Sequence, residues 1–572
     1  MKLPLSVGAL LAIGHAAFGQ NPAPIDSFGY GDVQLTGGPL YDQAAFARKF
    51  YLDLSEDSLL QGFRLRAHLP APGKPMGGWY DPDGFAAAHP FGQFVSALAR
   101  MYAETGDPRF KAKVARLVHG FHETLGPDGY FYASAKVERE WPCYLYDKDC
   151  IGMRDAYTLT GNREALAVLG RMTDWAEKHL PARSDEWYTL PENLLNCYRL
   201  TGEERYRKMA AKYDASEEFY NKFADGKNAF EPSLHAYSHV NTLCSSARLY
   251  EATSNPKYLD ATANAWKYLT TTQMYASGGW GPDEHFVPPG KLAPYVWSTG
   301  EGFETPCGCY ANVNVDRYLL RFKEDGRYGD NMERVLYNGI LGALPPLPDG
   351  HGFYYSDYRP GAIKVRRDDP WTCCTGTYAQ ITADYPLDIY FKSGSTLFVN
   401  LYVPSKVKWH NKGAELSLAQ VTEYPTKLSS RLALHTSRPQ LVTLALRIPA
   451  WATGKPHVSV NGKAVTSPIV HGFFCIARRW HDGDRVAVSF EAQPRFEPLE
   501  PTSPDLAALM LGPVMYVALA KGEVKLNWNT RQAAAQLKRV GDDLLVRGGT
   551  LRFRPFYKVN SENYTTYCWL SP

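Results

Sequence analysis

The sequence predicts a multidomain chain of mixed α and β class: an (α/α)6 toroid, or barrel, carrying the chemistry, followed by antiparallel β-sandwich structure. Three observations predict it. A helical-hairpin theme recurs from about residue 41 to 385, short β-rich runs replace it after Asp384, and aromatic, His and Gly-rich segments lie between the hairpins. At 572 residues the chain exceeds what one hydrophobic core organises.

The hairpins are marked by their turns. An amphipathic stretch ends at Tyr102-Ala-Glu-Thr105-Gly106-Asp107-Pro108, and the theme returns at Tyr157 to Asn162 and at Tyr198 to Glu203. Tyr250 to Pro256 is a degenerate copy and Phe322 to Gly326 a looser one. Gly stops one helix in a left-handed cap, and Asp, Asn or Pro starts the next. With an early helix at about 42–66, these turns make roughly six hairpins. Closed into a ring they form a toroid, and left open a solenoid. Long, irregular inserts favour the closed form with function on one rim.

The β-rich runs include Thr396–Tyr402, Ala414–Val421, Gln440–Ile448, Phe473–Ala477 and Arg485–Phe490, separated by turn signals such as Asn461-Gly462. They predict a sandwich over 386–520, with Ala507 to Ala518 as a further strand pair and 521–572 as an accessory β segment. The lead-in, 20–40, contains Gly31 to Leu35, a candidate strand for the same sandwich. Residues 1–19 read as a signal peptide: Lys2, an apolar run from Leu3 to Ile13, then small residues to Gly19. The expectation is a secreted or periplasmic protein, with no later run of ~18 apolar residues to span a membrane.

Composition narrows the partners. The 62 basic and 59 acidic residues nearly cancel, which argues against nucleic acid or an anionic membrane surface. Thirty-seven Tyr and 13 Trp suit sugar faces, and equally β-sandwich cores. The ten cysteines are scattered, so this is no disulfide scaffold, although Cys143 and Cys150 are near enough in sequence to bridge.

WTCCTG places Cys373 beside Cys374, and FETPCGC brings Glu304, Cys307 and Cys309. Adjacent cysteines rarely bond to each other, because the preferred Cα separation in a disulfide is about 5.5 Å. They read instead as soft ligands for zinc, against the plainer reading of buried small hydrophobes. In an oxidising compartment a bound metal would also shield them. Two ligand sets stay open: four thiolates closing a structural site, or Glu304 with three thiolates, leaving one sulfur available for chemistry. Upstream, GGWGPDEHF has no following Lys-Ser/Thr and so is not a phosphate loop; it lays Glu284 and His285 at a rim. Tyr354, Tyr355 and Asp357 in FYYSDY, and Trp79 with Tyr80, are pocket candidates with core packing as the alternative. Asp147, Lys148, Glu192 and Asn193 begin helices and suit either the barrel mouth or capping.

Taken together, GGWGPDEHF, ETPCGCYANVNVDRYLLR, YGDNMERVLYNGILGA, FYYSDY and WTCCTGTYAQ resemble the catalytic domain of the β-L-arabinofuranosidases of glycoside hydrolase family 127. The resemblance covers most of 40–400. It implies an (α/α)6 barrel with β-sandwich domains and a retaining exo-glycosidase that uses a zinc-bound cysteine. It assigns Glu304, Cys307, Cys373 and Cys374 as zinc ligands, Cys373 as nucleophile and Glu284 as general acid/base. His235, in LHAYSHVN, matches a sugar-contacting histidine. His239, His89 and Tyr355 are further substrate-binding candidates. Two departures stand out: Pro306 lengthens the family's Glu-x-Cys to Glu304-Thr-Pro-Cys307, and Gln93 stands where many relatives carry histidine.

The expected function is hydrolysis of a terminal, β-L-arabinofuranoside-like bond in an oligo- or polysaccharide. The alternatives are an (α/α)6 polysaccharide lyase working with a Tyr/His pair, and a non-catalytic carbohydrate-binding protein with structural zinc.

Overall fold

The computed structural model describes residues 25–528 and 532–571. The signal-peptide expectation lies outside them. Among the described residues, six helices form a closed inner ring: Phe91–Thr105, Pro142–Thr160, Leu190–Thr201, Ala236–Thr253, Thr305–Lys323 and Cys373–Asp384, each packed on the next and the last on the first. The first two approach closely because glycines face each other. A Cβ on Gly92 would lie 2.1 Å from the Lys148 carbonyl oxygen.

Outer helices return antiparallel to the inner ones: Pro108–Glu123, Arg163–His179, Glu204–Lys212, Pro256–Thr272 and Gly326–Asn338. The turns between them show why Thr recurs. Thr105, Thr160, Thr201 and Thr253 each donate to the carbonyl four residues back. Three of these hydroxyls then accept the N–H of Asp107, Glu203 and Asn255 as the next helix begins. The cap residues Gly106, Gly161, Gly202, Ser254 and Glu324 all sit at positive φ. Glycine holds the three regular copies because the left-handed region costs a side chain more.

The sixth hairpin differs from the expectation. The early helix is two helices, Pro39–Asp53 and Glu56–Arg66, broken where Ser55 caps the second. Pro39–Asp53 then packs against Cys373–Asp384, with the Tyr51 hydroxyl donating to the Thr375 carbonyl at 2.6 Å. The ring thus closes by pairing the start of the domain with its end, a contact no local pattern announces.

Two sheets follow as a sandwich. In one, Asp26–Ser27, Tyr390–Ser393, Thr396–Val399, Gln440–Arg447, Phe473–Trp480 and Ile469–Val470 lie in that order. The other runs from Lys463–Ala464 through Thr453–Val460, Arg485–Glu491, Ser429–Thr436, Ala414–Thr422 and Ser405–Asn411 to Val33–Leu35. Ser405–Asn411 alternates strictly between buried and exposed, as a half-covered sheet requires. The lead-in therefore contributes a strand to each sheet.

The expected division at 520 does not match the pairing. Arg495–Glu500, Ser503–Leu511 and Val514–Ala518 belong with Lys525–Leu526, Leu537–Val540, Asp543–Val546, Arg552–Pro555 and Tyr567–Leu570 in one further sheet. The break falls near residue 492 instead. Val514–Ala518 is buried on both faces, so its pattern says strand without saying which sheet. Arg334 of the barrel ties to Glu497 of this sheet at 2.7 Å. All ten cysteines are free, Cys143 and Cys150 included.

Candidate active site

A cavity of about 1130 Å³ opens at the end of the barrel where the six inner helices begin. Its lining follows from that placement. His89 precedes the first inner helix, Tyr144 sits in the first turn of the second, and Glu186 to Tyr188 lead into the third. His235 is the N-cap of the fourth, Glu304 the N-cap of the fifth, and Cys373 the first residue of the sixth. Free N–H groups and positive dipole ends therefore converge on one space, which favours carboxylates and thiolates there.

At the base lies a compact cluster. Glu304, Cys307, Cys373 and Cys374 offer ligand atoms all within 4.8 Å of one another. Glu304 Oε1 is 3.2 Å from Cys373 Sγ and 3.5 Å from Cys374 Sγ, and the Cys374 and Cys307 sulfurs are 3.5 Å apart. That is far outside disulfide length. It approaches the ~3.8 Å edge of a tetrahedron built on Zn–S bonds of about 2.3 Å. Three soft sulfurs and one carboxylate oxygen are a donor set that fits zinc.

Cys309 stands apart from this cluster. Two residues beyond Cys307 on the same helix, it projects about 200° away, and its sulfur lies against the Val335 carbonyl. Pro306 falls in the helix's first turn, where the missing N–H costs little. The extra residue thus leaves Glu304 in the cluster.

Burial pushes the Cys373 thiol up, but hydrogen bonding from Cys307, Cys374 and Tyr354 outweighs it and holds Cys373 well below the ordinary thiol range. Burial raises Cys307 and Cys374. Cys373 is also the one of the three that lines the cavity. Burial raises Glu304 too, with the Cys373 charge adding to it. His235 links the cluster to the cavity: Nδ1 meets Glu186 Oε1 at 2.6 Å, and Nε2 meets Glu304 Oε2 at 2.7 Å. Burial opposes its charge, but Glu304 and Glu186 raise His235 well above the usual histidine value. Both ring nitrogens then donate.

Glu284 lies beside the cluster, 3.7 Å from His235 Nε2 and grouped with His235 and Glu304 within 4.8 Å. Consecutive tyrosines span the gap: the Tyr354 hydroxyl is 3.4 Å from Cys373 Sγ, and Tyr355 donates to Glu284 Oε1. Tyr355 thus holds the carboxylate while also facing the cavity. His89 lines the cavity as well; its Nδ1 donates to the Ala86 carbonyl, leaving Nε2 as an acceptor. Burial lowers its pKa to about 4, so it is neutral.

His239 requires correction as a substrate contact. It is fully buried behind the wall, among Phe219, Phe230 and Phe286. It lies one helical turn beyond His235, which carries it down the helix into the layer between inner and outer rings. Of the weaker candidates, Trp79 lines the cavity, whereas the Tyr80 hydroxyl is spent on the Leu59 carbonyl. Asp147, Lys148 and Asn193 bond to one another inside the barrel, Glu192 pairs with Tyr318, and Asp357 with Arg359. Gln93 faces Gln380 in the interior.

Sequence reasoning missed Glu186 and Arg367, the latter with its guanidinium 4.6 Å from the Tyr354 ring. Glu186 had a usable signal: it stands just ahead of an inner helix, as His89 and His235 do.

Comparison with known proteins places the fold. Residues 32–387 match the family model described as the β-L-arabinofuranosidase GH127 catalytic domain, and 396–492 match the GH127 middle domain. A non-reducing end β-L-arabinofuranosidase of Bifidobacterium longum is 22% identical over 436 residues, covering 66% of this chain and 65% of that protein. The chain thus spans a little under two thirds of that relative's length. A solved GH127 β-arabinofuranosidase superposes with TM-score 0.78 at 20% identity, over 96% of this chain and 98% of that one. A GH127 β-L-arabinofuranosidase from Geobacillus stearothermophilus T6 gives 0.73 at 20% identity, over 94% and 100%. At these identities the likeness to the solved structures is one of fold.

Proposed function

The chain belongs to glycoside hydrolase family 127, and from that premise we propose that it is an exported, retaining exo-glycosidase releasing terminal β-L-arabinofuranosyl units from oligo- or polysaccharides. The observation that carries the reading is the tyrosine pair, one hydroxyl at Cys373 and the next at Glu284, across one cavity wall. That Cys373 faces the cavity while Cys307 and Cys374 do not separates this reading from a closed structural metal.

The Cys373 thiolate attacks the anomeric carbon as the glycosidic C–O bond breaks, and protonated Glu284 gives its proton to the departing oxygen. Glu284, now a carboxylate, takes a proton from water. The water oxygen then attacks the same carbon, the C–S bond breaks, and the thiolate returns with net retention. Zinc, held by Glu304, Cys307, Cys373 and Cys374, would supply charge that keeps the thiolates deprotonated and oriented. Tyr354 orients the Cys373 sulfur, and the His235 imidazolium fixes Glu304 from behind. His89 and Tyr355 offer polar contacts to the sugar hydroxyls.

The test is turnover of p-nitrophenyl and methyl β-L-arabinofuranosides, with the anomeric configuration of the first-formed product read by NMR. Retention, and a mass shift of one arabinosyl unit on Cys373 in trapping experiments, is expected. Inversion, or hydrolysis that survives Cys373→Ala, would sink the nucleophile assignment.

A further inference from the structure

The family matches end at residue 492, and the sheet from Arg495 onward has no assigned role. Its contacts reach the loop that carries Glu284, which the barrel holds on one side through Gln273 on Val287 and the Phe230 ring on Phe286. Asp283 and Glu284 are consecutive non-glycine residues at positive φ, 51° and 61°. Such backbone persists only where the surroundings over-determine it. The segment from 283 to 301 is a loop with a closed neck: the Asp283 N–H donates to the Glu301 carbonyl at 2.9 Å, and the Thr299 hydroxyl to the Asp283 carboxylate.

The body of that loop rests on the C-terminal sheet. The buried Glu500 carboxylate accepts the N–H of Leu292 at 3.0 Å and of Ala293 at 3.1 Å, and Thr502 donates to the Gly290 carbonyl. The Trp297 indole stacks on Trp569 with centroids 5.6 Å apart, and its N–H donates to Glu523. The segment carrying Tyr355, which holds Glu284, hangs from the same sheet. Tyr564 donates its hydroxyl to the Asp357 carbonyl and its N–H to the Ala362 carbonyl.

We infer that the C-terminal sheet is a brace that positions the Glu284 loop, with Glu500 and Trp569 as its positioning residues. The inference rests on the glycosidase reading above. It also carries a specific kinetic signature. Proton donation matters when the leaving group is an alkoxide, and much less when it is a stabilised phenolate. A displaced Glu284 therefore slows the first step selectively for poor leaving groups.

The experiment compares kcat/KM for methyl and p-nitrophenyl β-L-arabinofuranosides in wild type, Glu500→Gln, Trp569→Ala and Glu284→Gln, using the full chain. The milder Trp569→Phe accompanies them, and thermal unfolding controls for folding. For Glu500→Gln and Trp569→Ala, a loss of about tenfold or more on the methyl glycoside with less than about twofold on the aryl one is expected. Trp569→Phe should recover most of it. Equal losses on both substrates, or none, would overturn the brace. Failure of Glu284→Gln to discriminate between them would overturn the acid/base reading itself, and the brace with it.

Discussion

The two halves of the site are held in opposite ways. The cysteine half, which carries the proposed nucleophile, is built on helix beginnings: Glu304 caps one inner helix, Cys307 lies in its first turn, and Cys373 and Cys374 open the next. These groups are buried, mutually bonded and fixed by the barrel's own packing. The half carrying Glu284, the proposed acid/base, is a loop in unfavourable backbone conformation, held by Tyr355, by Gln273 of the barrel and by a separate sheet. A ligand cluster needs its donors fixed to a few tenths of an ångström, which helices supply. A residue proposed to give a proton and then take one back tolerates the latitude of a loop only if something outside the loop limits it.

The comparison breaks first at Cys373. Cys373→Ala should abolish turnover by ~10^4-fold or more on either substrate, measured by initial rates. Glu284→Gln should cost ~10²–10⁴-fold on the methyl glycoside, and on the aryl one should leave kcat/KM nearly intact while kcat falls as the covalent enzyme accumulates. A pre-steady-state burst of phenolate would show this. Stripping metal with a chelator should remove activity and lower the melting temperature, with zinc restoring both, because a ligand bound only by the folded state stabilises it.

A smaller effect separates the brace from the barrel. Burial would raise Glu497, but Arg334 and Arg495 hold it down at about 2, against 4.5 for an ordinary glutamate. Its folded pKa is depressed, so its contribution is present above pH 4.5 and lost as pH falls toward 2. That linkage corresponds to on the order of 3 kcal/mol. Arg334→Ala should flatten the acid limb of a stability–pH curve followed by calorimetry. Smallest is the far rim: Asn162 caps its helix by accepting the Ala165 N–H, and Asn162→Ala should cost about 1 kcal/mol in urea unfolding with activity unchanged.

The far rim was also the most legible in the sequence. Its Thr-Gly turns are local objects: the threonine, the cap and the next helix's first residue lie within six positions, as at Thr105 to Asp107. The cluster was legible for a related reason, since few residue types bind a soft metal and adjacent cysteines rarely bond to each other. What stayed hidden were relations between distant segments. Glu186 reads as one more surface carboxylate until His235 is set 2.6 Å from it. His239 and His235 look alike in sequence, and only the depth of one helical turn puts one in the wall and the other behind it.

The sequence by itself determined the helical hairpins, the β-rich second half and the cysteine–glutamate set of candidate metal ligands, because each depends on short-range periodicity or on residue type. Tertiary structure decided the rest. It closed the ring by joining Pro39–Asp53 to Cys373–Asp384, chose Glu304 over Cys309, and assigned 495–518 to the last sheet. Each of these is a packing decision between segments far apart in the chain, where burial and register, not local preference, set the outcome.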